Sequence, residues 1–243
     1  MTVNDTLVAA DGDALARLSA HLVRAWICDA VAARGVARLA ISGGSTPRAM
    51  MRVLAGLPLP WSATEWFWVD ERFVPHDNPR SNYGAAKADL FDHLAASTRG
   101  VHPMAGEGSL DEGADAYQAL LARSFGLPLP SDATSAVPSF DILLLGIGDD
   151  GHTASLFPGE DSVERQDRWV LAVPAAGERE ARITLSRPVL TAARRVAVIA
   201  QGAGKRKALH EAHAAGPLRD IPSRLTREIQ SELLWLLDAA AAG

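Results

Sequence analysis

Cysteine, lysine and long apolar runs are all scarce in this sequence. Cys28 stands alone, so neither an internal disulfide nor a cysteine-based zinc cluster can form. No uninterrupted apolar stretch approaches the roughly 18 residues of a membrane span. Residues 1–10 carry neither a basic segment nor an apolar core, so no secretory signal is read there. The cytoplasm is the expected compartment. An excess of positive charge is missing too: 24 Lys+Arg against 29 Asp+Glu leave a net charge of −5. That argues against a nucleic-acid partner, as the apolar pattern argues against a membrane. The only lysines are Lys87, Lys205 and Lys207 in a chain biased toward Ala and Arg, so a well-placed lysine is conspicuous.

What is present is an ordinary globular balance, 48% apolar and 22% charged over 243 residues. Residues 11–34 repeat apolar side chains every three to four positions and predict a long helix, closed by Gly35. Strands are expected at 37–41, 64–70, 140–147, 168–173, 182–185, 195–200 and 231–237. Helices are expected at 48–55, 83–96, 111–125 and 205–215. The run FDILLLGI at 140–147 is continuously apolar, as strands buried on both faces are. Alternating strands and helices predict an α/β fold: a doubly wound, mainly parallel, Rossmann-like sheet with helices on both faces. The Pro/Ser-rich stretch 126–139 reads as a surface excursion, so residues 1–243 are expected to form a single domain.

Ligands of open α/β sheets bind beyond the carboxyl ends of the strands, so the loops that follow strands deserve inspection. Four carry chemistry. Ser42, Gly43, Gly44, Ser45, Thr46 and Pro47 open a helix, with Ser45 or Thr46 as its cap and outward amides as an anion site. Asp70, Glu71 and Arg72 end an aromatic strand, and the guanidinium of Arg72 suits a phosphate or carboxylate. Trp68, two residues before Asp70, is a further candidate for the pocket wall. Gly146–Pro158 sets His152 among glycines beside Asp149 and Asp150, a setting for general acid–base work. The three are too close in sequence for a familiar metal-ligand set, so no metal and no cofactor are expected. Gly202, Ala203, Gly204 and Lys205 follow another buried strand, and a bound anion would offset the helix dipole's conflict with the lysine. Arg182 opens a strand and adds positive charge. Alone, the loops at Ser42, Asp70 and Lys205 read as a capped turn, a surface ion pair and a solvated lysine, whereas the His152 loop favours function by itself. Together they suggest a small phosphorylated substrate. His210 and His213 read as solvated helix residues.

The segments SGGSTP, WVDERFVPHDNPRSNYG, DILLLGIGDDGHTASLFPG, RITLSRPVL and QGAGKRKAL resemble the 6-phosphogluconolactonases in order and spacing, over about residues 39–238. The related glucosamine-6-phosphate deaminases share a similar Gly-loop and a DGH segment. There, an aromatic residue follows the Asp-Glu pair and the DGH stretch ends in Asn-Glu-Pro. Arg72 and the TASLFP run that follows His152 depart from that pattern, toward the lactonases. The resemblance implies metal-independent opening of 6-phosphoglucono-1,5-lactone, with His152 as general base. It further implies that Arg72, Lys205 and the loop from Ser42 to Thr46 hold the sugar phosphate, and it matches Arg182 to a family arginine. Asp150 orients the histidine in this reading, with Asp149 and Asp70 as alternatives. Backbone N–H groups of Gly43 and Gly44, or Arg72, stabilise the oxyanion. The rate is expected to fall on the acid side as an imidazole protonates. An amino-sugar-phosphate deaminase and a non-catalytic sugar-phosphate sensor are the rivals. A monomer is expected, with a weak homo-oligomer as the alternative.

Overall fold

The structure is a computed structural model and describes residues 4–94 and 97–243. The apolar runs become the middle of a sheet: β2 (Ala37–Ile41), β6 (Ile142–Leu145), β9 (Arg195–Ala200) and β10 (Glu232–Asp238). β3 (Thr64–Trp68) and β5 (Gly100–His102) extend one side, and β1 (Asn4–Ala9) closes the other. The order is β1-β10-β9-β6-β2-β3-β5, and every pairing is parallel. The chain winds outward from β2 through β3 to β5. It then returns beside β2 as β6 and winds the other way through β9 and β10. The reversal between β2 and β6 is the topological switch point, where diverging loops open a crevice for a ligand.

Helix termini follow their local chemistry. The Asp11 side chain accepts from the Ala14 N–H at 2.8 Å to start α1 (Gly12–Arg34), which ends at Gly35 with φ +75°. α2 (Ser45–Ala55) packs against α1. Ser81 caps α3 (Asn82–Asp89), and Ser109 caps α4 (Leu110–Phe125). The remaining helices are α5 (Arg187–Thr191), α6 (Arg206–His213) and α7 (Ala239–Ala242). None among the described residues is long and apolar enough to cross a membrane.

Several expectations shift. The helix read at 83–96 stops at Asp89 and gives way to a single 3₁₀ turn at Phe91–His93; residues 95–96 lie outside the described residues. The helix read at 205–215 begins one residue later, after a 3₁₀ turn at Ala203–Lys205. The strand read at 64–70 is split. Val69 donates to the Ile41 carbonyl at 3.0 Å and accepts from Leu185 at 2.7 Å, so the chain changes sheets there. Beyond it, β4 (Asp70–Arg72) joins β8 (Arg182–Leu185) and β7 (Val170–Val173) in a separate antiparallel sheet. The register sets Arg72 opposite Arg182. Leu171, Ile183 and Leu185 of this sheet belong to the same hydrophobic core as the seven-stranded one. Trp68 is fully buried in that core rather than in a pocket wall.

Candidate active site

The crevice at the switch point is a cleft of about 260 Å³. Ser42, Gly43 and Gly44 reach it from the end of β2, and Asp70 and Arg72 from β4. Asn82 enters from the start of α3, Gly146, Ile147, Gly148, His152 and Ala154 from the loop after β6, Arg182 from β8, and Lys205 from beyond β9. Six segments of the chain thus converge on one space.

His152 Nδ1 lies 2.6 Å from Asp150 Oδ1, which also accepts from the His152 backbone N–H at 3.1 Å. The hydrogen bond to His152 holds the Asp150 carboxyl down at about 2, against the opposing pull of partial burial. Asp150 is therefore a carboxylate and an acceptor, so Nδ1 carries the proton in the neutral ring. Nε2 then bears the lone pair, and it has no protein partner among the described residues. This is the tautomer a general base requires.

The loop is built for this contact. Thr153 Oγ1 donates to the Gly146 carbonyl at 2.9 Å, and the Gly148 N–H donates to the His152 carbonyl at 2.8 Å. A Cβ at Gly148 would fall 2.1 Å from His152 Nδ1 and 2.7 Å from Asp150 Oδ1. Gly148→Ala is therefore expected to push the imidazole off its carboxylate while the buried β6 keeps the fold. Activity should drop by about 10²-fold, the scale for a small misplacement of a catalytic group, with a melting temperature near that of the parent. Ala154, on the cleft wall, is the only non-glycine residue with positive φ among the described residues, at +50°.

The other acids take separate tasks. Asp149 pairs with Lys205 at 2.7 Å, which supplies an anion to the lysine at the start of α6. Asp70 is buried. Its Oδ2 accepts from Ser155 Oγ at 2.6 Å and lies 3.8 Å from the Arg182 guanidinium. Burial pulls Arg182 down from the ordinary arginine value, and Asp70 opposes that pull. Glu71 is fully buried and accepts from the N–H groups of Arg72, Asn82 and Tyr83 and from Ser81 Oγ. Burial pushes its carboxyl up despite those four donors.

Arg72, Arg182 and Lys205 bring positive charge to the cleft. Arg72 gives one N–H to the Arg80 carbonyl at 2.6 Å, and its buried Nε has no partner; the same holds for Nε of Arg182. The buried Ser42 hydroxyl is likewise unpartnered. α2 starts differently from the sequence expectation. Gly44, at φ +109°, is the N-cap, and neither Ser45 nor Thr46 caps through its side chain. Ser45 and Thr46 are the first two residues of α2 and lie beyond the cleft lining. Their amides have no acceptor among the described residues.

Sequence reading missed Asn82, Ser155 and Thr184. Asn82 Nδ2 donates to the Asp70 carbonyl at 2.9 Å, and its side chain abuts Gly43 so closely that a Cβ there would overlap it. Thr184 Oγ1 accepts from the Ser155 N–H at 3.1 Å and so ties β8 to the histidine loop. No group of three or more His, Cys, Asp or Glu among the described residues is placed to hold a metal ion. A larger cleft of about 470 Å³ lies between Gly159–Ser162, the end of β7 and Arg219. It contains no histidine, and Arg179 and Arg219 there are paired with Glu160 and Asp161. Of these two clefts, only the smaller is lined by a histidine.

Comparison with known proteins finds named relatives along nearly the whole chain. The chain is 36% identical over 238 residues to 6-phosphogluconolactonase of Synechocystis sp., covering 94% of this chain and 95% of that one. It is 34% identical to the 6-phosphogluconolactonase of Streptomyces coelicolor, covering 97% and 92%. The structure superposes on that of 6-phosphogluconolactonase from Trypanosoma brucei with a TM-score of 0.85 and 28% identity, covering 100% and 98%. A monomeric glucosamine-6-phosphate deaminase shares the fold at TM-score 0.80 and 19% identity, covering 98% of each chain. The family described as glucosamine-6-phosphate isomerases/6-phosphogluconolactonase matches residues 10–235, and the chain belongs to it.

Proposed function

We propose that the protein hydrolyses 6-phosphoglucono-1,5-lactone to 6-phosphogluconate, a step of the oxidative pentose phosphate pathway. The observation that carries this reading is the His152–Asp150 pair. It presents a free Nε2 to a cleft that also holds Arg72, Arg182 and Lys205. Relatives named 6-phosphogluconolactonase that align over nearly the whole chain support the same substrate.

In this mechanism Nε2 takes a proton from a water molecule as its oxygen attacks C1 of the lactone. The carbonyl electrons move onto oxygen, where the amides of the Gly43–Gly44 turn meet the developing charge. The tetrahedral intermediate collapses, the bond from C1 to the ring oxygen breaks, and the imidazolium returns its proton to that oxygen. Asp150 stabilises the imidazolium through Nδ1. Among the described residues no serine or cysteine bonds to His152, as a nucleophile–base pair would. Water is the nucleophile, and no covalent intermediate forms.

Lys205 and Arg72 hold the phosphate, and Arg182 adds charge beside them. Lys205→Ala should raise KM for the phosphorylated lactone several-fold and leave gluconolactone hydrolysis nearly unchanged. Equal effects on both substrates would remove Lys205 from phosphate recognition. The deaminase reading is tested by ammonia release from glucosamine-6-phosphate. None is expected, because Arg72 and TASLFP depart from the deaminase pattern. A sensor would bind 6-phosphogluconate and leave the lactone intact.

A further inference from the structure

We infer that Phe157 and Arg179 are positioning residues, forming a stack that holds the His152 imidazole in its working orientation. This rests on the reading of His152 as general base. Asp150 fixes only one ring nitrogen, and its own side chain is 54% exposed. One hydrogen bond to a half-exposed partner leaves the ring free to swing about its side-chain torsions. The structure supplies the missing restraint. The Phe157 ring packs on the imidazole with centroids 4.7 Å apart and planes inclined at 44°. Phe157 is itself buried. The guanidinium carbon of Arg179 lies 3.8 Å from the Phe157 centroid, within cation–π range. His152, Phe157 and Arg179 therefore form a continuous series of contacts.

Arg179 is held where it can do this. A tight turn exchanges backbone hydrogen bonds between Ala176 and Arg179 at 3.1 and 3.0 Å, with Gly177 at φ +59°. The guanidinium reaches Glu160 and the Pro174 carbonyl. These two contacts hold the guanidinium with its carbon over the Phe157 ring, and its Nε is buried without a partner. Three residues on, the same segment delivers Arg182 to the cleft. One hairpin thus sets both a cleft cation and the backing of the base. A lysine would keep the charge but lose the planar contact.

The test uses Phe157→Ala, Phe157→Tyr, Arg179→Gln and Arg179→Lys in the full chain. Two readouts are needed: kcat and KM for the phosphorylated lactone, and ring ¹⁵N chemical shifts of His152 in the free protein. Phe157→Ala should lower kcat by about 10²-fold with little change in KM, the scale for a misplaced catalytic group. Its ring shifts should move from one tautomer toward averaged values. Phe157→Tyr should restore both. Arg179→Gln, on a surface turn, should fold normally and lower kcat to a lesser degree, and Arg179→Lys should recover only part of it. Unchanged kcat in folded Phe157→Ala, or lost kcat with wild-type ring shifts, would overturn the inference. If the wild type fails to open the lactone, the proposed function falls, and the ring shifts still report on the stack.

Discussion

His152→Ala should lower kcat by ~10²–10⁴-fold, the usual contribution of a positioned acid–base group, and leave the fold intact. The side chain is a third exposed, at 33%, and the main-chain bond from Gly148 to the His152 carbonyl survives its removal. KM should change little, because the phosphate contacts lie on other loops. Asp150→Asn should also lower the rate, since an amide cannot stabilise the imidazolium as a carboxylate does. A His152→Ala protein with near-parental turnover would remove the base from the mechanism.

Glu71→Ala should destabilise the protein by roughly 3 kcal/mol or more, since each hydrogen bond to a charged group contributes about 1.5–3 kcal/mol. Four donors converge on this carboxylate in a setting that excludes water. Asn82 and Tyr83 are the first residues of α3, so Glu71 also meets the positive end of that helix. Removal strands these donors and frees α3 from β4. Arg72 and Asn82 leave their places on the cleft wall as a result, so KM for the phosphorylated lactone should rise in any protein that remains folded. Urea unfolding at constant m-value measures the first effect, and steady-state kinetics the second. A change in stability below about 1 kcal/mol would mean that water replaces the carboxylate.

The parallel sheet was legible because burial on both faces writes continuous apolar runs, as in FDILLLGI and RVAVIA. The cleft was legible in outline because glycines, charges and a histidine gather where those runs end. The second sheet was not. Residues 64–68 and 70–72 are both extended with only a bend at Val69 between them, and a hydrophobic pattern does not record which strand lies alongside. Only the hydrogen bonds of Val69 show the change of partner. The edge strands β1 and β5 hid for another reason: Asn4–Ala9 and Gly100–His102 are short and partly polar, with no run to detect. The division of labour among acids was equally closed to sequence. Asp149 and Asp150 are adjacent, yet one pairs with Lys205 and the other with His152. Ser155 and Asn82 escaped because a serine and an asparagine acquire meaning only from what they touch.

The most direct measurement is lactone disappearance with purified protein. 6-Phosphogluconolactone would be generated in situ at mildly acidic pH, where spontaneous opening is slow. Hydrolysis by the wild type well above the uncatalysed rate, with stoichiometric 6-phosphogluconate, is the predicted result. A wild type that binds 6-phosphogluconate yet leaves the lactone to open at its spontaneous rate would contradict it.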